Sequence, residues 1–401
     1  MCITLIGAGG TGAELLPQAI AALTEAELVI GAPRLLESLP QNGARRVAET
    51  NTEAILNEIR SSGCRRCAVV FSGDTGFYSG AGILAARLRK EGLIPEIIPG
   101  ISSFQLLAAR LGRPWQDWQL MSAHGAKIDL PYYLKEGRPV AMLTGSGRDV
   151  CDFCRRLTDM GLGSCHVTVG ERLSYPDEKI LEGTADDFYT GRFADLNIML
   201  IEPGPELIPL RRTPGIPDDE FIRGTVPMTK QPVRAMILAC LGVMPEDVCW
   251  DIGAGTGSVS VELAMAARQV WAVEQGEQGL ALIRENRTKF RTWNLNPVSA
   301  KAPEGLDKLP VPNAVFIGGS GGQLKDILEA CVQANPDVRI CVSAITLETL
   351  HRAVDWMEEK GLAPEVIQLS ASRTRAIGKA RMLLPDNPVF LICGRRICEG
   401  S

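Results

Sequence analysis

Residues 248–264 read VCWDIGAGTGSVSVELA, a hydrophobic run that meets a glycine-rich turn and continues into an apolar segment. Glycine permits sharp turns and lets a ligand approach the backbone closely. The stretch therefore predicts a strand, a loop and a helix at the carboxyl end of a parallel sheet, where such folds bind nucleotides. The next hydrophobic run, QVWAVE, ends in Glu274. A carboxylate at that position can accept hydrogen bonds from both hydroxyls of a ribose.

The glycine spacing bears on which nucleotide-like ligand binds there. Gly253, Gly255 and Gly257 form GxGxG with Asp251 ahead of them, whereas dinucleotide-binding folds use GxGxxG. This form resembles motif I of the class I methyltransferases, which bind S-adenosylmethionine (SAM). SAM carries a sulfonium and an amino-acid tail but no phosphate, so it does not need the helix N-terminus as a pyrophosphate site. A dehydrogenase is the alternative on this motif.

A second glycine motif, GAGGTG at 7–12, follows the hydrophobic run that opens the chain. It matches GxGxxG, but a dinucleotide site also requires an acid at the end of the second strand. That strand lies in ELVIGAPR at 27–34 and ends in Ile30 and Gly31. The missing acid argues against NAD in the first half of the chain.

Both halves alternate short β-branched runs with amphipathic helices, which predicts an α/β protein with largely parallel sheets. Between the halves, EPGPELIPLRRTPGIPDDE at 202–220 is rich in Pro and Gly and has no apolar periodicity, as is typical of a linker. The sequence predicts two domains, 1–204 and 214–401, joined by a linker at 205–213.

The composition disfavours several classes of function. A net charge of -5 argues against nucleic acid as a partner, because nucleic-acid binders usually show a basic footprint. We see no signal peptide and no apolar run long enough to span a bilayer, so we expect a cytoplasmic protein without membrane contact. The 12 cysteines include CxxC pairs at 64–67 and 151–154, which are too far apart for a zinc ribbon or finger. We expect reduced thiols and no metal, with structural zinc as the alternative.

Further motifs in the first half resemble those of a known family. GDTGFYSG at 73–80, PGISSFQLLAARLG at 99–112, SAHG at 122–125 and LTG at 143–145 resemble the tetrapyrrole methylases, in particular those that methylate carbon 5 of precorrin-6. The second half resembles class I enzymes that methylate carbon 15 and decarboxylate. Its matching motifs are MTKQPVR at 228–234, the glycine loop, Ala302-Pro303, FIGGSGG at 316–322, AITLET at 344–349 and NPVFLI at 387–392. The two halves in this order resemble fused enzymes of cobalamin biosynthesis.

The resemblance implies a tetrapyrrole-methylase fold of two α/β lobes, followed by a Rossmann-like class I domain. It implies SAM-dependent methylation of precorrin-6Y (precorrin-6B) at carbons 5 and 15, with decarboxylation of the carbon 12 acetate, giving precorrin-8X. It also implies two SAM sites per chain and a homo-oligomer. It leaves open whether the ring already holds cobalt and which methylation comes first.

The resemblance also assigns cofactor residues within these motifs. In the second domain SAM is expected at Thr229, Gly253, Ala254, Gly255, Thr256, Gly257, Glu274 and Ala302. In the first domain SAM is expected at Gly7, Gly73, Asp74, Phe77, Ser102, Ser103 and Thr144. His124 lies between glycine-flanked turns, and we expect it to be catalytic on the substrate side, with a structural histidine as the alternative.

A substrate with several acetate and propionate groups requires cations, preferably Arg, whose planar guanidinium matches a carboxylate. We expect Arg375 to serve catalysis, and Gly318 and Gly319 to lie where substrate meets the methyl group. The expected substrate cations are Arg373, Lys379 and Arg381 of the segment SRTRAIGKAR, together with Lys230 and Arg234. A solvated charged surface is the alternative for each of these cations.

Two rival classes of function compete with a tandem methyltransferase. One is a dehydrogenase with two Rossmann units, which the missing acid after Ile30 and the GxGxG spacing disfavour. The other is a non-catalytic module that senses SAM or a nucleotide. The second complete site and the basic segment near the expected pocket disfavour that module.

Overall fold

The computed structural model describes residues 1–12, 14–124, 128–205, 208–210 and 214–396. The chain separates into two compact units. The first comprises Met1–Asp129 and Gly137–Gly204, and the second comprises Leu130–Glu136 and Pro205–Ser401. Leu130–Glu136 thus groups with the second unit, although the sequence places it inside the first domain. Residues 206–207 and 211–213 of the predicted linker lie outside the described residues.

The first unit begins with a parallel sheet of five strands in the order β3-β2-β4-β1-β5. Its inner strands are almost continuously buried, as expected when helices cover both faces of a parallel sheet. The strands are β1 Cys2–Gly7, β2 Leu28–Gly31, β3 Arg45–Ala48, β4 Arg66–Phe71 and β5 Glu96–Ile98. The helices are α1 Pro17–Glu25, α2 Pro33–Ser38, α3 Thr52–Ser61 and α4 Ala81–Lys90. Proline opens α1 and α2, where its fixed φ suits the first helical turn.

The second sheet of this unit has the order β6-β7-β10-β8-β9 and is mostly antiparallel, unlike the largely parallel sheets that the sequence predicts. The physical reason is visible between β8 and β9, where residues 172–178 are too few for the crossover that parallel strands need. The strands are β6 Gln119–Ser122, β7 Val140–Leu143, β8 His166–Glu171, β9 Lys179–Thr184 and β10 Asn197–Glu202. The helices in this stretch are α5 Ser103–Leu111, α6 Leu130–Leu134, which groups with the second unit, α7 Gly147–Asp159 and α8 Ala185–Phe188.

The second unit is built on a seven-stranded sheet in the order β13-β12-β11-β14-β15-β19-β16. The strands are β11 Val248–Ile252, β12 Gln269–Glu274, β13 Leu295–Ser299, β14 Ala314–Ile317, β15 Arg339–Ala344, β16 Ala363–Leu369 and β19 Val389–Arg395. The helices are α9 Gln231–Leu241, α10 Ser258–Ala266, α11 Glu277–Phe290, α12 Leu324–Ala334 and α13 Leu347–Glu359. A separate hairpin is formed by β17 Ser372–Ile377 and β18 Ala380–Pro385. No helix in the described part of the chain is both long and apolar enough to cross a bilayer.

The strand order of the second unit fixes where a ligand can bind. The chain runs outward from β11 through β12 to β13, and then returns to pair β14 with the other side of β11. Such a reversal opens a crevice at the carboxyl ends of the strands. The loops after β11 and β14 meet there, because a Cβ on Gly253 would lie only 2.5 Å from the carbonyl oxygen of Gly319.

A buried ion-pair network connects residues 215–218, which precede α9, to side chains of α9 and α10. The Arg234 side chain is fully buried and donates to Glu262 at 2.8 Å and to Asp218 at 2.8 Å. Glu262 is also buried, and it accepts the amides of Gly215 and Ile216. Burial alone would raise the pKa of the Asp218 carboxyl, but its hydrogen bond with Arg234 and the charges nearby hold that pKa below its usual value. The Asp218 carboxylate is therefore favoured in its charged form beside Arg234.

We predict that Arg234→Ala strongly destabilises the second unit, because Glu262 and Asp218 would remain buried without their cationic partner. Removing one partner of a buried ion pair costs about 3–5 kcal/mol. Urea unfolding followed by tryptophan fluorescence measures the loss. The control is Arg352→Ala on the exposed face of α13, for which a change within about 0.5 kcal/mol is expected. Equal losses in both variants would contradict a structural role for Arg234.

Candidate functional site

The glycine loop of the second unit has a conformation that requires glycine. Gly253, Gly255 and Gly257 have φ of +70°, +57° and +74°, a region that side chains other than glycine rarely adopt. Glu274, at the end of β12, accepts the amide of Gly255 at 2.9 Å and that of Gly276 at 2.8 Å. A carboxylate has about four acceptor positions, so Glu274 keeps capacity for two hydroxyl donors. The hydrogen bond from Gly255 therefore connects the glycine loop to the end of β12.

The glycine loop and Glu274 border a cavity of about 800 Å³ at the carboxyl ends of the strands. It brings together most of the residues that the sequence analysis assigned to this domain. Those residues are Thr229, Lys230, Gly253, Ala254, Gly255, Thr256, Glu274, Ala302, Gly318 and Gly319. The cavity has two ends along the sheet, one at Glu274 and Ala302 beside β12 and β13, and the other beyond Gly318 toward β15, β16 and β19.

Several expected residues lie elsewhere, and each has a physical reason. Gly257 does not line the cavity, because it gives α10 room against α11, and a Cβ there would lie 3.0 Å from Ile283. Arg234 cannot reach substrate, because it is fully buried and each of its three guanidinium nitrogens donates to Glu262, Asp218 or a carbonyl group. The expectation of a substrate contact by Arg234 is therefore corrected.

The basic segment is also placed differently from the expectation. Arg373 pairs with Asp218 at 2.9 Å and lies 3.5 Å from Asp386, instead of lining the cavity. Arg375, Lys379 and Arg381 belong to the exposed β17–β18 hairpin and are not among the described residues that line the cavity. Their side chains match the alternative of a solvated surface. The structure does not bring Arg375 to the place where a catalytic role would require it.

Asp251 is a buried acid directly behind the glycine loop. Its side chain is fully buried, one oxygen accepts the Ser260 hydroxyl, and the other has no hydrogen-bond partner among the described residues. Burial raises the pKa of Asp251 to about 7, an effect that the Ser260 hydrogen bond only partly offsets. Asp251 does not line the cavity, and its hydrogen bond with Ser260 connects the end of β11 to α10.

The first unit contains its own cavity, of about 670 Å³, with walls from both of its sheets. It is lined by seven of the expected residues, namely Gly73, Asp74, Phe77, Ser102, Ser103, His124 and Thr144. Gly7 is not in the wall. A Cβ on Gly7 would lie 2.5 Å from the amide nitrogen of Gly100, so Gly7 is needed for the close approach of two loops.

Some side chains in this wall are already engaged by the protein. Asp74 accepts the amides of Gly76 at 2.8 Å and Gly100 at 3.1 Å, so its carboxylate holds the loops in place. Thr144 donates to the Asn197 side chain at 2.6 Å. His124 faces the cavity, with its Nδ1 3.1 Å from the Ser122 hydroxyl oxygen.

The sequence analysis missed several polar residues of the two walls. In the first unit, Arg34 lines the cavity and donates to Ser72 at 2.7 Å and Tyr175 at 3.0 Å, with no carboxylate partner among the described residues. The sequence feature that could have identified Arg34 is its position just after β2, at the carboxyl edge of a parallel sheet. In the second unit the missed residues include Lys301, Ser343, Asp386 and Asn387. Lys301 adjoins Ala302 of a quoted motif, and Asn387 opens another.

Comparison with known proteins places the chain in a family. Residues 2–189 match the family model of tetrapyrrole (corrin/porphyrin) methylases, and residues 220–395 match that of the precorrin methyltransferase domain. A precorrin-6Y C(5,15)-methyltransferase [decarboxylating] of Sinorhizobium is 32% identical over 96% of this chain and 94% of its own length. The chain belongs to the precorrin-6Y C5,15-methyltransferase family.

Shorter members of related groups match part of the chain. A protein of Pyrobaculum calidifontis named probable cobalt-precorrin-6B C(15)-methyltransferase (decarboxylating) is 40% identical over 45% of this chain and 95% of its own length. A crystal structure of precorrin-6y C5,15-methyltransferase from Geobacter metallireducens is 40% identical, with a TM-score of 0.44, and covers 46% of this chain and 97% of that chain.

We predict that Asp251→Asn stabilises the protein increasingly as pH rises. The folded-state pKa of about 7 lies above the value of about 3.9 for an unfolded Asp, so the folded protein binds the extra proton between these values. Stability is therefore lost as pH rises from about 4 through about 7 in the wild type, but not in the variant. Calorimetric melting at pH 5 and pH 8 should show the variant gaining on the wild type at pH 8. An unchanged difference would contradict a buried ionising carboxyl, and exposed Asp337→Asn is the control.

Proposed function

We propose that this chain uses SAM to methylate precorrin-6Y (precorrin-6B) at carbons 5 and 15 and decarboxylates the carbon 12 acetate, giving precorrin-8X for cobalamin biosynthesis. The observation that carries the proposal is a glycine-lined cavity in each unit of a chain that matches a C5,15-methyltransferase along nearly its whole length. One cavity would suit one methylation, whereas two cavities in separate units suit two.

In the second unit, we propose that SAM binds at the Glu274 end of the cavity. The free acceptor positions of Glu274 suit the ribose hydroxyls, and Gly253 and Gly255 leave the backbone open to the amino-acid tail. The adenine would then lie toward Ala302, and the methyl group would point to Gly318 and Gly319. The substrate would occupy the other end of the cavity, where β14 and β15 end.

In the first unit, we propose that a second SAM lies against Gly73, Phe77, Ser103 and Thr144. His124 and the uncompensated cation Arg34 would then face the substrate. A guanidinium without an acidic partner suits a carboxylate of a polyanionic ring. This unit would methylate carbon 5.

The domain assignment divides the chemistry between 1–204 and 214–401. The second domain would methylate carbon 15 and decarboxylate, as the name of the Pyrobaculum relative says of that protein. That relative matches about one domain's length of this chain. We also propose a cytoplasmic homo-oligomer that binds no nucleic acid, and light scattering measures the assembly.

The methyl-transfer step needs little from charged side chains. Methyl transfer is an in-line displacement in which an electron-rich ring carbon attacks the methyl carbon of the sulfonium. The protein then contributes mainly alignment and exclusion of water. Walls of glycine and apolar side chains supply both. A dehydrogenase would instead bind NAD, and a sensing module would bind SAM without consuming it. Turnover of SAM to S-adenosylhomocysteine with the precorrin is expected only of a methyltransferase and therefore excludes both alternatives.

We predict two independent SAM sites, which calorimetry should report as a stoichiometry near two per chain. Glu274→Ala removes hydrogen bonds to a charged group, worth about 1.5–3 kcal/mol, so affinity at one site should fall about 10- to 100-fold while the other is unchanged. Glu274→Gln, which keeps the side-chain shape, is the matched control and should weaken that site less. A stoichiometry of one in folded protein, or equal weakening of both sites, would contradict the two-site assignment.

We predict that paired variants separate the two reactions. At a SAM concentration that fills the first site but not the weakened second site, Glu274→Ala should leave methylation at carbon 5 and lose both steps at the second site, so the product gains one methyl and keeps its carboxyl. Ser103→Trp, which fills the first cavity, should lose methylation at carbon 5. With a substrate already methylated at carbon 5, it should still methylate carbon 15 and decarboxylate. Mass spectrometry of the products reports each step. Loss of decarboxylation in Ser103→Trp with that substrate would contradict the division.

A further inference from the structure

The two reactions proposed for the second unit exchange no net proton. Methyl transfer moves CH3⁺ from sulfur to the ring carbon, breaks the S–CH3 bond and leaves the ring as an iminium cation. Decarboxylation breaks the bond between the acetate CH2 and its carboxylate, releases CO2 and sends the electron pair into that cation. The remaining exocyclic CH2 group must then gain a proton to become CH3, and the ring must lose one. A single acid–base group beside both positions can carry this proton.

The cavity of the second unit offers few candidates for such a group. Its titratable side chains among the described residues are Lys230, Glu274, Lys301 and Asp386. Glu274 is held by two amides at the cofactor end. The two lysines suit the carboxylates of a polyanionic substrate, since an ammonium has only donors. Asp386 is the remaining carboxylate, and an anion there would repel substrate carboxylates, so it is not a clamp.

Topology places Asp386 at the substrate end of the cavity. It lies between β18 and β19, next to the end of β16, because its amide donates to the carbonyl of Ala371 at 2.8 Å. In the sheet order, β19 and β16 follow β15 on the side away from β12 and β13. Asp386 therefore lies across the crevice from Glu274, on the side where the methyl group would be delivered.

A series of side chains of alternating charge runs from Arg234 through Asp218 and Arg373 to Asp386. Arg373 Nε lies 3.5 Å from Asp386 Oδ2, and Arg373 Nη2 lies 2.9 Å from Asp218 Oδ2. Asp218 is fixed in turn by the fully buried Arg234 at 2.8 Å. The Asp386 side chain is 33% exposed, and Oδ2 is buried without a hydrogen-bond partner among the described residues. One oxygen thus faces the Arg373 guanidinium while the carboxyl group borders the cavity.

We propose that Asp386 is the acid–base catalytic residue of the second unit and that Arg373 is its positioning residue. Asp386 accepts the proton that the methylated ring loses and delivers it to the exocyclic carbon after CO2 leaves, so that it ends each cycle as a carboxylate. This proposal rests on the proposed function, and it gives the basic segment a role through Asp386, not through substrate contact.

The test uses the full chain with SAM and a precorrin already methylated at carbon 5. Asp386→Asn should lower the rate of the methylated and decarboxylated product at least about 100-fold, as expected for loss of a general acid–base group, with SAM affinity unchanged. Asp386→Glu is the matched variant and should retain part of the rate. In Asp386→Ala, added acetate should restore part of the rate in proportion to its concentration, which a structural role would not allow.

The alternative results are distinguishable. Full activity of folded Asp386→Asn, or no acetate rescue of folded Asp386→Ala, would overturn the acid–base role while leaving the proposed function intact. A weakened SAM affinity in Asp386→Asn would also overturn it. Absence of the product with the wild type would refute the proposed function itself. Should Asp386→Asn fail to fold, Asp386→Glu and the acetate rescue decide. Arg373→Ala should lower the rate about 10-fold without changing SAM affinity, and Arg373→Lys should recover part of it.

Discussion

The fully buried guanidinium of Arg234 is the constraint on which the second unit depends. A buried cation is tolerated only where acids and carbonyl groups compensate it. Glu262 of α10 and Asp218, which precedes α9, supply that compensation. Arg234 also donates to the carbonyl of Thr229, which lines the cavity. Through Arg234, Thr229 is therefore connected to Glu262 of α10, the helix that follows the glycine loop. Through Asp218 and Arg373 the same network reaches the opposite wall at Asp386.

The sequence predicts the glycine loop of the second unit well because its geometry is encoded locally. Three positive φ angles require glycine, and the hydrophobic runs on either side match β11 and β12. The antiparallel second sheet was missed, because β-branched runs do not reveal strand direction. The burial of Arg234 was missed for a related reason. An arginine near the start of a helix looks the same whether it faces substrate or two acids distant in sequence, here by 16 and 28 residues.

The motifs of the first unit identify residues that shape a cavity as well as residues that face it. Gly7 provides the space that Gly100 requires, and Asp74 holds Gly76 and Gly100 by their amides. Ser102 precedes α5, and its amide donates to the Gln105 side chain at 2.8 Å. Phe77 and Thr144 are in the wall itself. Motif resemblance thus points to stretches that line a cavity, but it does not separate ligand contacts from loop geometry, because both depend on the same short stretches.

The scarcity of cations in both cavities follows from the physics of carboxylates. Removing a carboxylate from water costs several kcal/mol even in real proteins, and pairing only partly restores this loss. A tetrapyrrole edge that stays in water avoids the cost, so the protein needs cations only where a carboxylate enters the wall. Arg34 in the first unit, and Lys230 and Lys301 in the second, fit that limited need. Arg375, Lys379 and Arg381 can then remain in solvent on the β17–β18 hairpin without loss of binding, since long-range attraction to an exposed cation is screened within about 10 Å at ordinary salt concentrations.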